Sequence, residues 1–343
     1  VDKRLILAVA GAGKTSFIID SLRKDKKSII LTYSDNNYEN IREKIIEKFN
    51  GIPQNIYLTT YFNFLYSFCY KPFLHYRVKA RGYNFEHPPD DTAYLKREDP
   101  RYYIDNYRRL YHNRLAKLID VMKVNKNIID RLEKYFDELY IDEVQDFAGH
   151  DFNLLLDLSK SNIKIMFVGD FYQYTFDTSR DGNVNKNLHK DYKKYTQRFS
   201  KLNFKIDKST LIKSYRCSRS LCLFINNKMG INIESHKDNK TLVELLEEKN
   251  KIEDIIQDDK IPKLFFWNSK KYNCFSMNWG ESKGIDNFKD VCVILNKSTY
   301  QLFKKDKLID MNPKSKNKLY VACTRANNDL FFVPEKLIKS YLK

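Results

Sequence analysis

The first two dozen residues restrict the fold more than any other stretch. A short β-prone run over residues 4–9 enters Ala10-Gly11-Ala12-Gly13, and a helix-like stretch follows from Lys14 to about Leu22. Strand, glycine loop and helix, in that order, open a nucleotide-binding α/β unit. Small residues let backbone N–H groups face phosphate oxygens, so Gly11, Ala12, Gly13 and, at the start of the helix, Ser16 are candidate nucleotide contacts. The Lys14 ammonium reaches β and γ oxygens, and the Thr15 hydroxyl is a candidate Mg²⁺ ligand. ATP and Mg²⁺ are the cofactors this loop implies. Ala8 stands where the general pattern has its first glycine.

A chain of 343 residues has room for about two domains of ordinary size. Apolar runs at Ser28–Thr32, Ile56–Thr60, Glu138–Ile141 and 163–168 alternate with helical patterns, which predicts a parallel sheet. Runs at 209–214, 263–267, Val291–Leu295 and 330–333, with a helix over 241–257, predict a second α/β domain. Between them, 71–137 reads as a helical, basic and aromatic insertion. Asp99 and Pro100 would open a long helix there, with Tyr103, Tyr107, Leu110, Leu118 and Met122 near one face. Residues 181–208, rich in Lys, Asn and Asp, read as linker or surface excursion. The expected organisation is a first domain of 1–70 and 138–205, interrupted by the insertion, and a second of 206–343.

With 61 Lys+Arg against 44 Asp+Glu, the net charge of +17 favours a polyanionic partner, although the Lys, Asn, Ile and Tyr bias also suits an AT-rich genome. Apolar residues at 42% argue against extended disorder. No apolar run approaches the roughly 20 residues of a membrane span, no signal peptide opens the chain, and no membrane partner is expected. The six cysteines form no C-x-x-C pair and no zinc-spaced cluster, so they read as reduced core thiols in a cytoplasmic protein. The sequence opens at Val1 rather than Met, which leaves open whether residues precede it.

A second motif completes the chemistry. In Leu139-Tyr140-Ile141-Asp142-Glu143-Val144-Gln145-Asp146 an apolar strand ends in paired acids, which would put Asp142 near the metal and Glu143 where it polarises the attacking water. Asp142 to Asp146 resembles the corresponding motif of UvrD/Rep/PcrA-like superfamily 1 DNA helicases, in which Ala at the position of Ala8 is common. Other motifs follow in that family's order. Thr32-Tyr33-Ser34-Asp35-Asn36 is similar to Thr-Phe-Thr-Asn-Lys, and Gly169-Asp170-Phe171-Tyr172-Gln173 to Gly-Asp-x-x-Gln. Ser214-Tyr215-Arg216-Cys217-Ser218 is similar to Asn-Tyr-Arg-Ser, and Ser282-Lys283-Gly284-Ile285-Asp286 to Ala-Lys-Gly-Leu-Glu. Leu319-Tyr320-Val321-Ala322-Cys323-Thr324-Arg325-Ala326 matches Leu-Tyr-Val-Ala-x-Thr-Arg-Ala. The resemblance spans Leu5 to Val333.

That resemblance implies two tandem RecA-like domains with ATP bound in the cleft between them. Gln173 would sense the γ-phosphate, Tyr215 would stack on adenine, Arg216 and Arg325 would stabilise transition-state charge, and Gly284 and Asp286 would lie at the nucleotide, Asp286 on its ribose. Tyr33, Tyr61, Tyr174 and Phe176 would stack on bases, a sequence-tolerant contact suited to a motor. The implied activity is translocation along single-stranded or partial duplex DNA, 3′ to 5′, with RNA left open. The chain departs from the pattern on the nucleic-acid side. Phe176-Asp177-Thr178 replaces aromatic-Arg-Gly, Gly280 replaces a DNA-contacting His, and Asn36 replaces a Lys. The interval from Arg216 to Lys283 is too short for the family's large accessory insertion, and no glutamine motif precedes the loop. These departures keep a second reading open: a nucleic-acid-gated ATPase switch that regulates a protein partner such as a nuclease.

Overall fold

The computed structural model describes residues 1–175 and 181–343. They form two compact units, one of Val1–Ile6, Thr15–Gly169 and 181–207, the other of Leu7–Lys14, 170–175 and Lys208–Lys343. The first is built on six strands in the order Ile56–Thr60, Ser28–Thr32, Glu138–Ile141, Lys164–Gly169, Lys3–Leu7 and Lys205–Asp207, with parallel pairing. Leu5, Ile6, Ile29, Ile30, Leu31, Leu139, Ile141, Ile165 and Phe167 have no exposed surface, which is why these strands read as unbroken apolar runs rather than alternating ones. Because the strands are parallel, their carboxyl ends share one edge, where ligand loops of α/β sheets gather. From it leave the glycine loop after Leu7, Tyr33 after Thr32, Tyr61 after Thr60, Asp142 after Ile141 and Asp170 after Gly169.

The second unit holds a five-stranded parallel sheet ordered Val243–Leu245, Leu330–Pro334, Val291–Leu295, Lys263–Phe265, Ser276–Asn278. One of its faces packs Ile252 and Ile256 of the helix Lys249–Gln257 with Phe265, Tyr272, Cys292, Ile294 and Val333. The chain is thus α/β, with two RecA-like parallel-sheet domains. All six cysteines are unpaired thiols, five of them buried. Among the described residues no helix is long and apolar enough to cross a membrane.

Four expected elements take another form. The long helix after Pro100 is a single turn, Pro100–Tyr102, although Asp99 does cap it by accepting from the Arg101 amide. The cause is Asp105, whose carboxylate accepts the amides of Tyr107 at 2.9 Å and Arg109 at 2.8 Å. With Arg108 at φ +61°, the chain reverses instead of coiling. The strand Arg109–Tyr111 then pairs in parallel with Gly82–Asn84, and helices Leu115–Val121 and Asn125–Tyr135 follow, so the insertion is mixed rather than wholly helical. Within 181–208, read as linker, a helix Tyr192–Ser200 buries Tyr195 and Phe199 one turn apart, and Lys205–Asp207 adds a strand beside Lys3–Leu7. Residues 241–257 divide into the strand Val243–Leu245 and the helix Lys249–Gln257. Of 209–214 only Lys213–Ser214 is a strand, paired with Glu234–Ser235 outside the main sheet.

Candidate nucleotide site

In the first unit Thr15, the second residue of the helix Lys14–Ser21, donates from Oγ1 to Asp142 Oδ2 at 3.1 Å. Asp142 is buried, with its other oxygen accepting the Glu143 amide at 3.0 Å. Glu143 sits at φ +55°, a left-handed conformation that costs a non-glycine residue about 1–2 kcal/mol. Gln145 Nε2 donates to Glu143 Oε2, which aims the carboxylate. The following strand end must stay bare: a Cβ at Gly169 would lie 2.2 Å from Gln145 Oε1 and 3.0 Å from the Val144 nitrogen. Ser16 is exposed and its hydroxyl accepts from Lys44 at 3.2 Å.

The second unit carries the glycines and the arginines. Gly11 and Gly13 have φ of +70° and +80°, the region glycine enters without steric cost. A Cβ on Gly11 would press to 2.7 Å from Arg216 Cβ, and one on Gly13 would sit 3.7 Å from the Tyr215 ring. The Tyr215 amide donates to the Gly11 carbonyl at 2.9 Å. Ser214 Oγ accepts the amides of Arg216 and Cys217, which fixes the turn that carries Tyr215 and Arg216. The Tyr215 ring is 62% exposed and stacks on His236 at 3.9 Å, so one face remains open to a planar group.

Arg216 and Arg325 share one carboxylate. Arg216 Nη2 lies 2.6 Å and Arg325 Nη1 2.9 Å from Asp286 Oδ1. Arg325 is 2% exposed, and its guanidinium also donates to the carbonyls of Val321 and Ile285. Burial first, then the Arg216 charge, pushes its pKa down to about 10, so it stays a cation at neutral pH. Asp286, expected at a ribose, here holds two guanidiniums in place. Gly284 lies at φ +86° with open space around it.

Sequence reading missed one buried network although both its anchors lie in recognised motifs. Tyr320 OH donates to Asp170 Oδ2 at 3.0 Å and accepts the Ala10 amide at 3.0 Å. Gln173 Nε2 donates to the same Asp170 oxygen at 2.9 Å. The network ties the glycine loop to Gln173 through two side chains that both lie out of contact with solvent. Desolvation raises the Asp170 pKa to about 6, opposed by Lys14 and by the bonds from Gln173, Tyr172 and Tyr320. The folded protein therefore keeps this proton to higher pH than the unfolded chain, whose Asp titrates near 3.8. Asp170's contribution to stability is full below about pH 4 and is lost as pH rises through about 6, on the order of 3 kcal/mol in all. Urea melts of the parent and Asp170→Asn from pH 4 to 7.5 should diverge across that window; parallel curves would refute the assignment.

Of the four aromatic residues expected to meet bases, Tyr33 is partly exposed and stacks on Tyr61 at 5.8 Å. Tyr61 itself is 1% exposed, packed on Phe147 at 4.7 Å. Tyr174 is also buried, and its carbonyl accepts from Asn317 at 3.1 Å. In this structure Tyr61 and Tyr174 are buried rings, Tyr61 among Tyr33, Phe62 and Phe147. Phe176 lies outside the described residues. Among the described residues no three His, Cys, Asp or Glu gather as a metal cage. Mg²⁺ in a phosphate loop needs none, since one or two protein oxygens, substrate phosphates and waters complete its shell. Thr15 and Asp142, in contact at the loop, fit that role.

No protein-family model and no curated protein matches the sequence. Solved structures do. One described as PRRSV helicase aligns with 99% of this chain and 54% of its own at 14% identity and a TM-score of 0.49. One of Arterivirus nonstructural protein 10 (helicase) aligns with 99% and 62% at 12% identity and 0.53. A complex of the Arterivirus protein with DNA aligns with 97% and 60% at 11% identity and 0.51. The chain spans about three-fifths of the length of those two Arterivirus chains, and over that length it shares their fold.

Proposed function

We propose that this chain is an ATP-dependent translocase or helicase acting on single-stranded or partial duplex DNA, of the UvrD/Rep/PcrA-like kind. The observation that carries the proposal is the bond from Thr15 to Asp142, which joins the loop's metal-binding hydroxyl to the acidic strand end. Lys14 and the amides of Gly11, Ala12 and Gly13 hold the β- and γ-phosphates, and Tyr215 offers its open face to adenine. Mg²⁺, when bound at Thr15 and Asp142, neutralises phosphate charge. Glu143, oriented by Gln145, takes the proton of the attacking water; Gln173 reports the γ-phosphate; Arg216 and Arg325 stabilise charge as the bond breaks. The 3′ to 5′ direction rests on the motif resemblance.

The DNA-bound Arterivirus structure lends support by fold, and the net charge of +17 suits a polyanionic track. A second reading, an ATPase switch that regulates a partner such as a nuclease without unwinding, is favoured by the burial of Tyr61 and Tyr174. Steady-state phosphate release with Mg²⁺ should rise severalfold on adding a single-stranded oligonucleotide, and equal rates would sink the coupling to DNA. Strand displacement of a short tailed duplex then separates motor from switch.

A further inference from the structure

The chain has two tryptophans, and the fold treats them oppositely. Trp279 has no exposed surface and donates its indole N–H to the Leu264 carbonyl at 2.8 Å. Trp267 is 62% exposed, which is unusual for the side chain with the most apolar area to bury. It stands two residues past the strand Lys263–Phe265, at the carboxyl edge of the second sheet. Phe265 is in register with Asn278 on the neighbouring parallel strand, so Trp267 and Gly280 stand at equivalent positions beyond paired residues. One strand end offers an indole and the next offers no side chain.

The turn that displays Trp267 is fixed. Asn268 adopts φ +58°, and the buried Ser269 donates its amide to Asn278 Oδ1 at 3.1 Å and accepts from Ser276 Oγ at its carbonyl. The adjacent Phe266 is packed edge-on against Trp279 at 5.2 Å. Lys318, from the helix Pro313–Cys323, places its ammonium 5.4 Å from the Phe266 ring and 5.4 Å from the Trp267 ring. Burial, then the neighbouring Lys314, lowers the Lys318 pKa, with Glu281 acting the other way. An exposed indole beside a partly desolvated cation, on a stiff turn, has the chemistry of a base-stacking platform with a phosphate partner.

We infer that Trp267 and Lys318 form a single-strand nucleic-acid contact on the second unit, in which a base stacks on the open indole face and Lys318 neutralises an adjacent phosphate. The inference rests on the nucleic-acid part of the proposed function and assigns it residues that no helicase motif supplied. Nucleic acid is the occupant because lysines dominate the surroundings: Lys270 and Lys271 follow on the same turn, and Lys314 lies about one helical turn before Lys318, close enough to act on its charge.

Trp267 reports on its own occupancy, since Trp279 is shielded. Titrating the intact chain with oligo(dT), without nucleotide, should quench tryptophan emission and cut its accessibility to acrylamide. Trp267→Ala should lose the quench and weaken oligonucleotide binding roughly tenfold or more, with Trp267→Phe in between. Lys318→Gln should weaken binding and lower the salt slope by about one. Melting temperatures serve as the fold control. Unchanged emission at saturating oligonucleotide, or parental affinity in Trp267→Ala, overturns the inference. Because no ATP is present, a failure of ATP hydrolysis would be a separate result.

Discussion

Arg325→Ala is expected to lower kcat by about 10³-fold or more while leaving nucleotide affinity within a few-fold, and Arg216→Ala to do the same. A guanidinium that meets charge developing only as the phosphoryl bond breaks contributes to the transition state and little to the ground state. The structure keeps the charge balance of this experiment simple. Asp286 is 62% exposed at its side chain and bonded to both arginines, so deleting either one leaves the carboxylate paired with the other and hydrated. Neither deletion strands a buried charge, which would cost several kcal/mol. Arg325→Lys separates the roles further, since an ammonium keeps the charge but cannot serve Val321, Ile285 and Asp286 together from one planar fork. Normal kcat in Arg325→Ala would mark the residue as structural.

The second large effect divides binding from turnover. Glu143→Gln should bind ATP at near-parental affinity and hydrolyse it about 10²- to 10⁴-fold more slowly, the usual worth of a positioned general base. Lys14→Ala should instead weaken nucleotide binding itself, because the ammonium meets phosphates already charged in the ground state. Fluorescent-nucleotide titration beside single-turnover hydrolysis reads both quantities. If Glu143→Gln turns over at the parental rate, another group accepts the proton, and the bond from Gln145 that aims Glu143 has no catalytic consequence.

The sequence made the sheets legible for a physical reason. Strands buried on both faces must be apolar throughout, so Ser28–Thr32 and Val291–Leu295 stand out from their flanks. Glycines forced to positive φ at Gly11 and Gly13 announce the loop in the same way. What stayed hidden was decided by tertiary contacts. Asp105 turns the chain because its carboxylate finds two amides a few residues on, a choice no helical periodicity reveals. The helix Tyr192–Ser200 hides behind lysines because only one turn-spaced pair, Tyr195 and Phe199, needs burial. The exposure of rings is likewise a property of neighbours: Tyr61 and Trp267 are both aromatic residues at strand ends, yet one is covered and the other open.

The crowding around Gly169 sets a limit on how this chain can vary. The missing Cβ is occupied in advance by the amide oxygen of Gln145, whose other end steers Glu143. Adding one methyl group at residue 169 would therefore be felt at a carboxylate it never touches, through a single intervening side chain. Much of this polypeptide is lysine-rich surface where substitutions are cheap. Here the smallest possible enlargement displaces the side chain that aims the proposed base, so position 169 accepts far less than the surface does.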